Sequence, residues 1–136
     1  FNGATKEFYS VAQHCCVVSE IVPDEHKAWG LMHDATEAYL GDVVTQLKHL
    51  LPFYKTMEDN LMFAISKRFN LPWPMPKVVK EADLRALVTE KRDLLEVDLP
   101  WVRALYVPEI PWKIFPDPPI VAESKFLLYA ESLGIT

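Results

Sequence analysis

Apolar residues recur at steps of three and four through most of the chain, and convincing alternation with period two is scarce. That pattern predicts a mainly helical protein. Val11, Cys15, Val18 and Val22 form the stripe of a first helix over about residues 10–22, with His14 beside it. Ser10 and Gln13 have the form of a capping box, in which Ser10 accepts from an early helix amide and Gln13 reaches back, and Pro23 ends the segment. A second helix is expected over about residues 24–33 and a short third over 35–40, closed by Gly41. Met57, Leu61, Ile65 and Phe69 mark a fourth, which stops before "LPWPMP", and Val79, Ala86 and Leu87 mark a fifth that extends to about residue 95. Ala122, Phe126, Tyr129, Ala130 and Leu133 give the apolar side of a last helix. Between them, residues 98–119 hold six of the eleven prolines together with Trp101, Tyr106, Trp112 and Phe115, which suits an irregular packed loop over part of the core. The expectation is an all-α fold, a single compact bundle of about five to seven helices with residues 1–136 as one domain.

Against this apolar background a few polar residues stand out. The stretch "LMHDATEAYLGD" (31–42) sets His33 beside Asp34 and adds Glu37 and Asp42 where a plain core helix needs none of them. Asp83 falls on the apolar face of the fifth helix, and His14 lies beside the stripe of the first. Two imidazole nitrogens with two carboxylate oxygens suit a divalent metal ion, and an octahedral ion would keep two positions for water and substrate. Adjacent helical residues point about 100° apart, so joint ligation by His33 and Asp34 works best at a helix end, which the break near Ala35 supplies.

Composition narrows the partners. The 136 residues are half hydrophobic, enough for one domain to bury a core without staples. With 14 Lys and Arg against 19 Asp and Glu the formal charge is -5, which argues against a nucleic-acid polymer as partner and for a small, locally handled phosphate. Cys15 and Cys16 are adjacent, offer no zinc spacing and cannot easily bridge each other, which favours a reducing, cytoplasmic setting and a packing role for Cys15. No run of 18 apolar residues and no basic-then-apolar leader occurs, so no membrane span is expected. The chain opens on Phe1 rather than methionine, so residues upstream are expected.

Through "YSVAQH" (9–14), "HDATEAYLGD" (33–42) and "VKEAD" (79–83) the chain resembles the HD-domain phosphohydrolases, whose metal signature runs His, His-Asp, Asp. The helix "YKTMEDNLMFAISKRFNLP" and the continuation "TEKRDLL" extend the likeness over most of the chain, nearest in appearance to the small 5'-deoxynucleotidases and the phage deoxynucleoside triphosphate (dATP) hydrolases. The resemblance implies an HD-domain bundle in which His14, His33, Asp34 and Asp83 hold one divalent transition metal ion: Co, Mn, Zn, Ni or Fe, with Mg also compatible. It implies Glu37 as general acid/base and Asp42 as the residue that contacts the sugar or the attacking water. Thr45 and Lys48 would continue the nucleotide pocket, with Lys80 as a further phosphate partner.

Two departures stand beside the resemblance. Many relatives carry a proline soon after the Asp42 position where this chain reads "GDVVTQLK", and an arginine that relatives use on phosphate would lie upstream of Phe1. Two-metal members bring extra histidines between the His-Asp pair and the final aspartate, and here only His49 lies there. The expected activity is release of phosphate from a deoxynucleoside monophosphate in the cytoplasm, or in the host cytoplasm for a phage-encoded protein, with a homo-oligomer compatible. The alternatives are a deoxynucleoside triphosphohydrolase that releases tripolyphosphate, and a metal- or nucleotide-binding module without catalysis. Trp29, Trp73, Trp101 and Trp112 are read as core or loop anchors, and His26 and His49 as surface residues.

Overall fold

The computed structural model describes residues 4–96 and 106–135, with Thr45 described by its backbone alone. Among these residues there are seven α-helices and no strand: α1 (Val11–Ile21), α2 (Lys27–Met32), α3 (Glu37–Leu40), α4 (Thr45–Lys48), α5 (Tyr54–Arg68), α6 (Lys77–Leu94) and α7 (Pro119–Ser132), with a 3-10 turn at Asp24–His26 ahead of α2. The expected all-α bundle is present. No helix among the described residues is long and apolar enough to cross a membrane. Residues 97–105, including Trp101 and much of the expected proline-rich loop, lie outside the described residues, as do Phe1 and the side chain of Thr45.

The centre of the bundle is α1, which packs on α2, α6 and α7, while α2 also touches α6 and α7. Its buried face runs through Cys15, Cys16, Val17, Val18 and Ser19. Val11, expected on this stripe, is instead exposed, because it stands in the first turn at the mouth of two cavities rather than against a neighbouring helix. The close approach of α1 and α2 depends on Gly30: a Cβ there would lie 2.8 Å from the Ser19 Cα. Ser19 Oγ donates to the Lys27 carbonyl at 2.9 Å across the same contact.

Capping follows the sequence in part. Ser10 Oγ accepts from the Gln13 amide N–H at 3.1 Å, as a capping serine should. Gln13 does not complete the box: its Nε2 donates to the Phe115 carbonyl and its Oε1 accepts from the Asp117 N–H, each at 2.8 Å. A tertiary demand has taken the side chain, since two backbone groups of the segment before α7 would otherwise lose these partners. Helix α5 ends where Asn70 takes a left-handed conformation (φ 53°) and the Leu71 N–H reaches the Ser66 carbonyl at 2.8 Å. Its inner side is Met62, Ile65 and Ser66, whereas Met57, expected on the stripe, is exposed.

Residues 106–118 are irregular, and Ile110 and Ile114 anchor them in the core. The aromatic residues do not supply the anchor as expected: Tyr106, Trp112 and Phe115 are exposed, and the two isoleucines are buried in their place. The polar grip comes from α6. Arg92 donates to Asp93, Glu109 and the carbonyls of Ile110 and Trp112, and Asp93 accepts from the Ile114 N–H at 2.8 Å. Trp29 is a core anchor at 1% exposure and donates to the Pro72 carbonyl, whereas Trp73 stacks obliquely outside it and is exposed.

Candidate metal centre

His33 follows directly on the last residue of α2, and Asp34 lies in the tight turn that joins α2 to α3. In that turn the Ala35 N–H bonds to the Met32 carbonyl and the Glu37 N–H to the Asp34 carbonyl, so the chain tightens beyond an α-helix. The two side chains can therefore serve one point although they are neighbours in sequence. The His33 ring is buried and fixed from behind, with Nδ1 2.8 Å from the Gly30 carbonyl, which directs Nε2 outward from α2.

Four expected ligands meet there. Nε2 of His14 lies 3.2 Å from Nε2 of His33 and 3.3 Å from Asp83 Oδ1. Asp34 Oδ2 is 3.3 Å from His33 Nε2 and 3.6 Å from His14 Nε2, and Asp83 Oδ1 is 3.9 Å from His33 Nε2. Donor atoms about 2.1 Å from a first-row divalent ion stand roughly 3.0 to 3.4 Å apart when they are neighbours in an octahedral or tetrahedral shell. The nitrogen and oxygen atoms thus fit such an ion in kind and in spacing. Three elements supply them: α1, the end of α2 with its turn, and α6.

The electrostatics of the cluster follow from crowding two acids around two bases. For His33, burial works against the charged ring, but Asp34 and Cys15 outweigh it and the ring is pushed up to about 10. For His14, burial again opposes the charge, while Glu90 and Asp83 hold the ring well above its ordinary value. Asp34 is buried enough to favour protonation, yet His33 and then His14 pull its carboxyl below the usual range. Positive charge is strongly favoured at the point where the Nε2 atoms face each other, and a cation would compete there with protons.

Glu37 opens α3, and Gly41, in a left-handed conformation (φ 74°), closes it with its N–H on the Glu37 carbonyl at 2.9 Å. Glu37 and Asp34 line the same three cavities. Burial, then the charges of Asp34 and Asp42, push the Glu37 carboxyl up to about 7. One cavity, of about 300 Å³, is walled by Val11, Ala12, Ala35, Ala38 and Phe126, with Asp42 at its edge. A second, of about 470 Å³, carries Lys48, Lys55 and Lys80 as well as His33 and Asp83. A third, of about 170 Å³, opens beside His14, Asp42 and Tyr9. The histidine and aspartate cluster lies where an apolar recess and a lysine-bearing recess adjoin.

The remaining expected residues divide. Asp42 is exposed at the cavity edge, and Lys80 is exposed on the second cavity. Lys48 reaches that cavity but is held by Glu58 at 2.7 Å and lies over the Tyr54 ring. Thr45 falls on α4, and its side chain lies outside the described residues. His49 is exposed, as expected, whereas His26 is half-buried. Cys15 is buried and packs on the core, yet its Sγ also falls within a 4.8 Å group with donor atoms of His33 and Asp34. The sequence reading missed one residue of the site. Glu90, at 2% exposure, accepts from His14 Nδ1 and from the Tyr9 hydroxyl, both at 2.7 Å. The signal was its spacing, since seven residues from Asp83 are nearly two helical turns and place both on one face.

No family model matches the chain. Of curated proteins, YfdR of Escherichia coli (strain K12), described as uncharacterized, is 50% identical over 94 residues, which is 69% of this chain and 53% of that protein. RCAP_rcc00048 of Rhodobacter capsulatus, also described as uncharacterized, is 37% identical over 92 residues, 60% of this chain and 47% of that protein. The chain therefore spans about half the length of the curated relatives it matches.

Proposed function

We propose that the protein is a metal-dependent phosphohydrolase of the HD-domain type that acts on small deoxynucleotides and releases phosphate from a deoxynucleoside monophosphate. The observation that carries this reading is the meeting of His14, His33, Asp34 and Asp83 at one point, with Glu37 beside them, between an apolar recess and a lysine-bearing one. Held by these four residues, a divalent ion would supply Lewis acidity toward a phosphoryl oxygen and acidify a water.

The chain's own groups do the rest. The apolar recess receives the base and sugar, and Asp42 at its edge accepts from the 3'-hydroxyl. Lys80 faces the phosphate from the second recess and offsets its charge, and Lys48 joins it by exchanging its Glu58 partner. Glu37 accepts a proton from the water that attacks phosphorus, and the ester bond to the 5'-oxygen breaks. The proton passes to that oxygen, so water and nucleotide become nucleoside and inorganic phosphate.

A triphosphate is the second reading, favoured by one feature. The recess of about 470 Å³ carries a third lysine, Lys55, held by Asp59 at 2.9 Å much as Lys48 is held by Glu58, so both would reach a longer phosphate chain by exchanging these partners. The test is incubation with matched ribo- and deoxynucleotides, each as mono- and triphosphate, with cobalt, manganese or zinc in excess and products separated by chromatography. Phosphate from deoxynucleoside monophosphates is expected. Intact tripolyphosphate with no action on monophosphates would put the second reading first, and no product from any nucleotide would reject both.

A further inference from the structure

We infer that Glu90 is the positioning residue of His14: its buried carboxylate holds the Nδ1 edge of the ring and so directs Nε2 into the cluster with His33, Asp34 and Asp83. The inference rests on the reading of those four residues as metal ligands and adds a residue that reading does not contain.

A carboxylate withdrawn from water is costly unless it is paired and hydrogen-bonded. Glu90 is 2% exposed, and its Oε1 meets both requirements by accepting from His14 Nδ1 and the Tyr9 hydroxyl at 2.7 Å each. The His14 ring is thereby gripped at both ends from one face of α6. Asp83 stands 3.3 Å from Nε2, and Glu90, nearly two turns further on, stands 2.7 Å from Nδ1. An imidazole with Nδ1–H donated to a carboxylate presents its Nε2 lone pair to a metal, and the carboxylate makes that nitrogen a stronger donor. His33 has a backbone carbonyl, that of Gly30, in the same place. The two imidazoles are therefore unequal, and His14 depends on a side chain that substitution can remove.

The experiment compares the wild-type protein with Glu90→Gln, Glu90→Leu and Tyr9→Phe, each stripped with chelator and dialysed. Nitrogen-resolved NMR of the imidazoles should show a deshielded, slowly exchanging proton on His14 Nδ1 in the wild type and in Tyr9→Phe. That resonance should move upfield in Glu90→Gln, which keeps an acceptor without the charge, and vanish in Glu90→Leu. Titration with cobalt(II) should then give ~10- to 100-fold weaker binding for Glu90→Gln, the usual loss when such a partner is removed. Calorimetric melting of the stripped proteins separates this from a general loss of stability. A lowered melting temperature with wild-type cobalt affinity would overturn the inference, as would absence of the Nδ1 proton from the wild type. If Glu90→Leu does not fold, the resonance shift and the affinity of Glu90→Gln decide. Failure of the wild type itself to bind cobalt would overturn the ligand reading and the role of Glu90 with it, whereas binding that Glu90→Gln leaves unaltered removes Glu90 alone.

Discussion

Asp34 and Glu37 lie three residues apart, border the same cavities and are both acids, yet their surroundings set them to different tasks. Asp34 has an oxygen among the imidazole nitrogens and is pulled toward its charged form by His33, while Glu37 is pushed by burial and by Asp34 toward its protonated form. Under the proposed function the two should therefore fail differently. Asp34→Ala is expected to lose bound metal and turnover together, read by metal analysis after dialysis and by phosphate release. Glu37→Ala should keep the metal and the melting temperature and lose ~10²-fold or more in turnover, the usual size for a positioned acid/base. Near wild-type turnover in Glu37→Ala would remove it from the mechanism. At this scale the meeting of His14, His33, Asp34 and Asp83 was legible because histidine and aspartate are conspicuous in apolar helical stretches. Glu90 was not, because in "TEKRDLL" it is one charged letter among several, and only its partners in space distinguish it from a solvated glutamate.

Between elements, the structure turns on contacts that periodicity does not encode. Gly30 reads as a weak point in α2, and replacement by alanine would ordinarily favour a helix by about 1 kcal/mol. Here the added Cβ would stand 2.8 Å from backbone of α1, so the helices must separate, at a cost of roughly 1–3 kcal/mol that outweighs the propensity gain. Gly30→Ala is thus expected to lower the melting temperature. It should also weaken metal binding, because the Gly30 carbonyl holds His33. An unchanged or raised melting temperature would contradict the close packing of α1 on α2.

The α6 grip on residues 109–114 gives a prediction with a pH sign. Hydrogen bonds from Arg92 hold the Asp93 carboxyl below the usual range, burial opposes this, and the Ile114 N–H adds to the first effect. In the unfolded chain the group titrates near about 3.9. Its stabilisation is then fully present above that value and is lost as pH falls through the lower folded value. Asp93→Asn should cost about 1–3 kcal/mol at neutral pH, and its difference from wild type should narrow as the pH drops below about 4. Denaturant titrations at several pH values measure this, and a gap independent of pH would argue against the charge as its source.

Over the whole molecule, α1, α2 and α6 converge on one centre, and the two groups of potential ligands found among the described residues share His33. A protein so arranged should hold about one ion per chain after dialysis, measured by elemental analysis against protein concentration. Two retained ions, both needed for turnover, would require ligands other than these. The helical class was legible from period because each of the longer helices, α1, α5, α6 and α7, has a buried side. What stayed hidden was which turns of each helix meet a neighbour. Met57 and Val11 continue their stripes faithfully in sequence but extend past the ends of the packed surfaces.

The diversion of Gln13 from its cap also sets an order in time. His14, His33, Asp34 and Asp83 all lie within residues 14–83, so a ribosome has made every one of them before it adds Phe115 and Asp117. Yet the side chain one position before His14 is held by those two late residues, and its N-terminal turn stays without these partners until they emerge. Synthesis thus delivers these four residues early and the clamp on their first helix late, so α1 gains its last partners only after residue 117 has emerged.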